Sequence, residues 1–373
     1  MTDDDAEGRA FLARVPLIDG HNDMPYVIWR DRDARGDVRR WDARRLHPET
    51  DTDIPRLRAG LVSTQVFTAF IPAHTPDPIP ARLAVIDVML QLEQAYPDVF
   101  FPVLAPDDLG RARASGRIGL FKAVEGLGGV DDPGHARALR AMGIGLITLC
   151  HNATLPFIDS ATDRPGAAPL SPFGARLVAE MERLGLIIDV AHASAAAQNA
   201  VLDVARGPIV ISHVNARALC DHPRNAPDQV LRRVADKGGL VMATFVPAFI
   251  SQPVCDALSS LTARARRSGA GLADPGFDET KRAAMAAFTR GAIDCLIDHL
   301  DHMRDVAGVD ALGIGSDFFG GPNPPGLDDA STFPALFSGL IRRGWRTGDL
   351  EKLAGGNFER VWREVWRDDI ATL

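Results

Sequence analysis

The feature that most constrains this chain is a recurrence. Eight short, almost wholly apolar runs rich in β-branched residues lie at residues 15–18, 64–71, 119–124, 145–149, 186–190, 209–211, 240–245 and 311–315. Each is near strand length and lacks the apolar–polar alternation of a half-exposed strand, so each reads as a parallel strand buried on both faces. Between them lie helical patterns. Residues 82–95 put Leu83, Ile86, Val88, Leu90 and Leu92 on one broad apolar side, and 173–184 space Phe173, Leu177, Val178, Met181 and Leu184 at helical intervals. Residues 225–237 and 278–306 also read as helices. Strands alternating with helices imply an α/β fold with a parallel sheet, and eight of them predict closure into a (β/α)8 barrel. An open doubly wound sheet would carry GxGxxG after its first strand, where Asp19-Gly20-His21 stands instead. The expected organisation is one catalytic domain over 1–373, with the barrel at about 15–320 and C-terminal helices at about 331–368.

The runs end alike. The first is followed by His21 and Asp23, the third by Glu125, the fourth by His151, the fifth by His192, the sixth by His213 and the eighth by Asp317. In a closed barrel all C-terminal strand ends meet at one mouth, so these groups are expected to converge. A lone histidine after a strand is more often a structural hydrogen-bonding residue, and a lone HxD is weak. The combination points to metal. His21 and Asp23, two apart in extended chain, should face the same side and serve one ion. His192 and His213, from adjacent strands, could hold a second, with Glu125 as bridge. Imidazole and carboxylate ligands suit zinc, manganese or cobalt. Two such ions, roughly 3.5–4 Å apart, would share a water and make it hydroxide near neutral pH.

Composition narrows the partners. A net charge of −8 argues against a nucleic-acid partner. The cysteines, Cys150, Cys220, Cys255 and Cys295, are scattered without a CxxC pair, against a disulfide framework or zinc knuckle. No run is long and apolar enough to span a bilayer, and the acidic start shows no signal pattern, so no membrane association and a cytoplasmic location are expected. Proline- and glycine-rich loops at 72–80, 163–172 and 320–327 are candidate lids or substrate walls.

These motifs, in order, resemble the membrane (renal) dipeptidase family, the M19 zinc peptidases. The matching segments are Ile18-Asp19-Gly20-His21-Asn22-Asp23-Met24-Pro25, Val124-Glu125-Gly126, Leu146 to Asn152, Ile188 to His192, Ile211-Ser212-His213, Pro223-Arg224-Asn225, Gly313 to Phe318 and Gly355 to Phe358 followed by Val361-Trp362. The resemblance implies a TIM barrel, often a homodimer, with two Zn2+ ions. It places His21 and Asp23 on one ion, His192 and His213 on the other, and Glu125 between them. It implies that His151 binds the substrate carbonyl and its oxyanion, that Arg224 grips the carboxylate of a dipeptide, and that Asp317 meets the amine and shuttles the proton. The reaction implied is attack of a metal-bridging hydroxide on the peptide bond, with a C-terminal D-residue accepted. Physically, a guanidinium fork suits a carboxylate and a carboxylate suits an ammonium. Two positions depart from the pattern: Phe319, where many relatives carry an acid, and Val246, where some carry a tyrosine. Both bear on substrate range. A lactonase, cyclic amidase or deaminase on the same barrel is the alternative, although such sites often begin HxH and may use a modified lysine. Lys122 lies three residues before Glu125 and should face away. A silent binding barrel is the other alternative.

Overall fold

The computed structural model describes residues 5–268 and 282–367, without the side chains of 264–268. Among the described residues, nine parallel strands form one sheet: β1 (Leu17–Asn22), β2 (Val62–Phe70), β3 (Phe100–Val103), β4 (Ile118–Glu125), β5 (Ile144–Thr148), β6 (Ile187–Asp189), β7 (Val210–Val214), β8 (Leu240–Ala243) and β9 (Leu312–Ile314). The order runs β2-β1-β9-β8-β7-β6-β5-β4, and β2 pairs with β4 from Thr64–Gly119 through Phe70–Glu125. That last pairing closes an eight-stranded (β/α)8 TIM barrel.

β3 is the strand absent from the sequence reading. It pairs with Ile118 to Phe121 of β4, while β5 pairs with Lys122 to Glu125. β3 thus occupies the lower half of an edge whose upper half belongs to β5. Its four residues include Pro102 and are only half buried in the middle, so they give no continuous apolar run.

Inside the barrel, Ile18, Val66, Phe121, Leu146, Ile187 and Met242 pack in one buried cluster with Phe358, Val361 and Trp362 of the C-terminal helix Asn357–Val365. Phe121 stands edge-on to Trp362, with ring centroids 4.8 Å apart. This helix plugs the end where the strands begin, which leaves the opposite end as the open mouth. A larger core lies between the outward strand faces and the surrounding helices.

Three expectations shift. β1 runs on to Asn22, so Asp19, Gly20 and His21 belong to the strand itself rather than following its end. Gly20 allows this by close approach: a Cβ there would fall 2.3 Å from Met242 Cε. The helix expected at 82–95 begins at Pro78, because prolines in a first helical turn forgo only N–H groups that would lack partners anyway. The helix expected at 278–306 is not continuous. Residues 278–281 lie outside the described residues, a 3-10 turn covers Met285–Ala287, and the helix proper is Ala292–Ala307, started by Gly291 in an extended conformation (ψ 137°). Among the described residues, no helix is long and apolar enough to cross a membrane.

Candidate metal centre

The mouth gathers every site residue read from the sequence. β1 ends beside His21 and Asp23, β4 ends on Glu125, and β7 contains His213. His151, His192 and Asp317 each follow three residues after the last residue of β5, β6 and β9, and Arg224 sits on the loop after β7. His21, Asp23, Glu125, His192, His213 and Arg224 are all buried.

Their polar atoms converge. His21 Nε2 lies 3.7 Å from Asp23 Oδ1, 3.7 Å from Glu125 Oε2 and 3.8 Å from Asp317 Oδ1. The other oxygen of Glu125 faces the other pair: Oε1 is 2.8 Å from His192 Nε2 and 3.4 Å from His213 Nε2. Glu125 therefore divides its two oxygens between two groups of donors. His151 joins Glu125 and His192 in a third cluster of ligand-type atoms. The expected reason for the His21–Asp23 pairing needs correction. Asp23 is not in extended chain but at φ −97°, ψ 19°, the position before helix Met24–Arg30, and it reaches the site from that bend.

The hydrogen bonds behind the imidazoles show what these atoms can accept. Ser212 Oγ donates to Asp189 Oδ2 at 2.6 Å, so towards His213 Nδ1, 2.8 Å away, it can only accept. That puts the proton of His213 on Nδ1 and leaves a lone pair on Nε2. His192 Nδ1 meets Asn152 Oδ1 at 2.9 Å and donates to it, with the same result. The two bare Nε2 atoms stand 2.8 Å apart and both face a carboxylate oxygen. Three lone pairs crowded this way call for a cation among them. His21 makes the point again, since neither of its buried ring nitrogens has a hydrogen-bond partner. The donor set fits divalent metal, with zinc, manganese and cobalt all suited to it.

Electrostatics agree. Burial opposes charge on His21, but Glu125, then Asp23 and Asp317, outweigh it and push its pKa up to about 10. A proton is thus held where carboxylates are in excess. Burial, aided by Arg224 at His192 and by His21 at His213, takes both of those imidazoles well below their ordinary value. Burial raises Glu125 well above the usual carboxylate range and Asp317 to about 7. It lowers His151 to about 3, with Arg224 adding to the effect. His192 (φ +66°) and Asp317 (φ +63°) both occupy the left-handed backbone region. Such conformations persist where surrounding structure fixes them, and they cluster at functional sites.

Arg224 is 3% exposed. Its Nη2 reaches His213 O at 3.4 Å, and its guanidinium lies 5.4 Å over the Phe249 ring, but Nε and Nη1 have no hydrogen-bond partner.

The comparisons with known proteins cover nearly the whole chain. The family model for membrane dipeptidase, peptidase family M19, matches residues 6–369. This chain belongs to the M19 family. It is 31% identical over 369 residues to Dipeptidase 3 of Rattus norvegicus, a match covering 95% of this chain but 66% of that protein. It therefore spans just under two thirds of that relative's length. Among solved structures, the probable dipeptidase PvdM from Pseudomonas aeruginosa superposes with a TM-score of 0.83 at 24% identity, covering 97% of this chain and 98% of that one. A metallo peptidase from Rhodobacter sphaeroides, solved with a phosphinate mimic of the dipeptide L-Ala-D-Ala, gives 0.77 at 21% identity, covering 94% and 99%. Both likenesses show a shared fold.

In this M19 chain, a supporting layer escaped the sequence reading. Asp189 accepts from Thr148 Oγ1 (2.5 Å), Ser212 N and Ser212 Oγ, tying β6 to its neighbours behind His213. Asp19 does the same at β1, accepting from Gln65 Nε2 (2.9 Å), Ser316 N (2.7 Å) and Ser316 Oγ (2.7 Å). Thr68 Oγ1 donates to Asp23. Adjacency offered the one usable signal: Asn152 follows His151, and Ser212 precedes His213. His222 accepts from Arg224 N at 3.1 Å and packs on Phe249, bracing the loop that carries Arg224. Lys122 pairs with Glu93 on the helix Pro78–Ala95, away from the cluster.

Proposed function

We propose that this chain is a metal-dependent dipeptidase that cleaves the peptide bond of free dipeptides, with two Zn2+ ions as its cofactor. The observation that carries the reading is Arg224, a buried guanidinium with two nitrogens that have no hydrogen-bond partner, at the rim of a ligand cluster. A buried charge without a partner is costly, and a free carboxylate meets a guanidinium with two parallel hydrogen bonds. Asp317, whose Oδ1 lies 3.8 Å from His21 Nε2, offers the complementary charge for an α-ammonium. A substrate that satisfies both, with a carbonyl between them, is a short peptide with both termini free.

His21 and Asp23 would hold one ion and His192 and His213 the other, with Glu125 shared, since its two oxygens face different pairs. Ions bound in this way polarise a carbonyl oxygen and lower the pKa of water to about 7. The rest belongs to the chain. Arg224 fixes the carboxylate, and with it the register of the scissile bond. Asp317 orients the amine, takes a proton on a carboxylate oxygen and returns it to the leaving nitrogen. His151 donates a ring N–H to the carbonyl oxygen as negative charge develops there. Asn152, Ser212 and Asp189 keep the imidazole lone pairs aimed inward. The Rhodobacter sphaeroides complex supports extending the range to a D-residue in the second position.

The test is turnover of L-Xaa-L-Xaa and L-Xaa-D-Xaa dipeptides by the zinc-loaded chain, beside the same dipeptides amidated at the C-terminus. Efficient cleavage of the free forms, with amidation strongly impairing it, is expected. Equal rates on free and amidated forms would remove Arg224 from its role, and no turnover of either would overturn the reading.

A further inference from the structure

Beside the charged groups, the mouth holds a cavity of about 240 Å³. Glu125 and His151 form its inner wall, and the loops after β2, β4 and β5 supply the rest. Ile71, Pro72, Ala73, Pro78 and Leu155 make that remainder apolar. Its two threonines have partners on their own loops: Thr75 Oγ1 donates to Pro72 O at 2.6 Å, and Thr154 Oγ1 accepts from Ser160 N at 3.1 Å. Gly126, at φ +79°, keeps the wall flat, because a Cβ there would press on His151 Cβ at 3.1 Å. Besides Glu125 and His151, the only titratable side chain among the described lining residues is the exposed His74.

We propose that this cavity receives the side chain of the substrate's amino-terminal residue and selects dipeptides whose first residue is bulky and apolar, of the leucine or phenylalanine kind. The inference rests on the dipeptidase reading. In that reading His151 and Glu125 flank the scissile carbonyl, whose Cα neighbour belongs to the first residue. Arg224, which fixes the second residue through its carboxylate, follows β7 and takes no part in the cavity wall. Asp317, which holds the first residue's amine, follows β9 and is absent from the wall as well. The first residue's side chain is therefore the group left to turn towards β2, β4 and β5. Once there it meets mostly hydrocarbon: the polar side chains of the wall are Glu125 and His151, which the dipeptidase reading already engages, the exposed His74 and the two threonines bonded within their loops. A charged or amide side chain would therefore lose water with little compensation.

The experiment is kcat/KM of the zinc-loaded full chain for dipeptides beginning with Gly, Leu, Phe, Asp or Lys and sharing one second residue. Leu and Phe should exceed Gly on the order of 100-fold, the scale that methylene groups command in an apolar site, and Asp and Lys should fall below Gly. Ala73→Trp, which fills the cavity, should reduce the Phe/Gly ratio at least tenfold. Ala73→Glu should raise the Lys/Phe ratio, a gain that a damaged fold cannot produce. A flat profile, a preference for charged first residues, or ratios unmoved by both variants would overturn the cavity assignment while leaving the dipeptidase reading standing. Absence of any dipeptide turnover by metal-replete protein would overturn both.

Discussion

The two halves of the ligand cluster are built differently. In the His192–His213 half, each imidazole is fixed from behind, by Asn152 at one ring and by Ser212 backed by Asp189 at the other. In the His21–Asp23 half, the imidazole has no hydrogen-bond partner, and three carboxylates surround its Nε2 at 3.7–3.8 Å. One half is oriented by hydrogen bonds and the other assembled by charge. A metal site can thus be prepared in two ways: by holding lone pairs in place, or by concentrating negative charge that only a cation relieves. Glu125 belongs to both.

The largest effect should come from that shared residue. Glu125→Gln keeps the shape and removes the charge from both halves at once. If each half depends on it, metal content measured by elemental analysis should fall for both equivalents. Dipeptide turnover should drop on the order of 1000-fold, matching the several kcal/mol that metal contributes to such transition states. Loss of a single equivalent would assign Glu125 to one half and break the comparison at its centre.

Protonation separates the halves next. In the metal-free protein, His21 has its pKa pushed up to about 10, whereas His192 and His213 are held well below their ordinary value. A cation entering the His21 half must displace that proton. Its affinity should therefore rise with pH by up to about tenfold per unit below pH 10, or about 100-fold from pH 6 to 8. The other half gains nothing from its own imidazoles, which are already neutral, and the raised pKa of Glu125 acts on both alike. Calorimetric titration in buffers of different ionisation enthalpy would count the protons. Equal release on filling each half would mean that the charge difference is absent.

How much of this could be read from the chain follows from the same contrast. The eight barrel strands were legible because a strand buried on both faces must be apolar along most of its length, as in Ile144 to Ile147. The ligands were legible because strand ends converge and because His21, Glu125, His192 and His213 are residue types seldom placed there without cause. β3 was not, since four residues containing Pro102 carry no periodicity. The broken helix before Ala292 was not, because spacing alone cannot show where Gly291 turns the chain extended. Asp19 and Asp189 were hidden for another reason. Each looks like any acid beside a strand, and only the packing of adjacent strands reveals that it accepts three or more hydrogen bonds. The ligands of both halves could be read from residue types, while the hydrogen bonds behind His192 and His213 needed partners in space.

Those partners give the third prediction. Ser212→Ala deletes the group that fixes the proton of His213 on Nδ1, so the affinity of one metal equivalent should fall about 10–100-fold, the usual weight of such supporting contacts. The other equivalent should be unmoved, and competition titration with a chromophoric chelator resolves the two. Asn152→Ala should weaken the same equivalent, and the double variant should leave the His21 half intact. Equal weakening of both equivalents by Ser212→Ala would mean that the halves are not independently supported.

The smallest expected change probes the charge-built half by the same means. Thr68 Oγ1 donates to Asp23 and also reaches Asn22 O at 3.2 Å, and Thr68 is fully buried. Thr68→Val preserves the volume and removes the hydroxyl. Where charge rather than hydrogen bonding prepares a site, losing one donor to a carboxylate that also has a cation to face should cost about 1 kcal/mol, roughly fivefold in the affinity of that single equivalent. His21 still stands among three carboxylates. A loss as large as that from Ser212→Ala would show that the His21 half relies on orientation as much as its counterpart, and the distinction between the two halves would disappear.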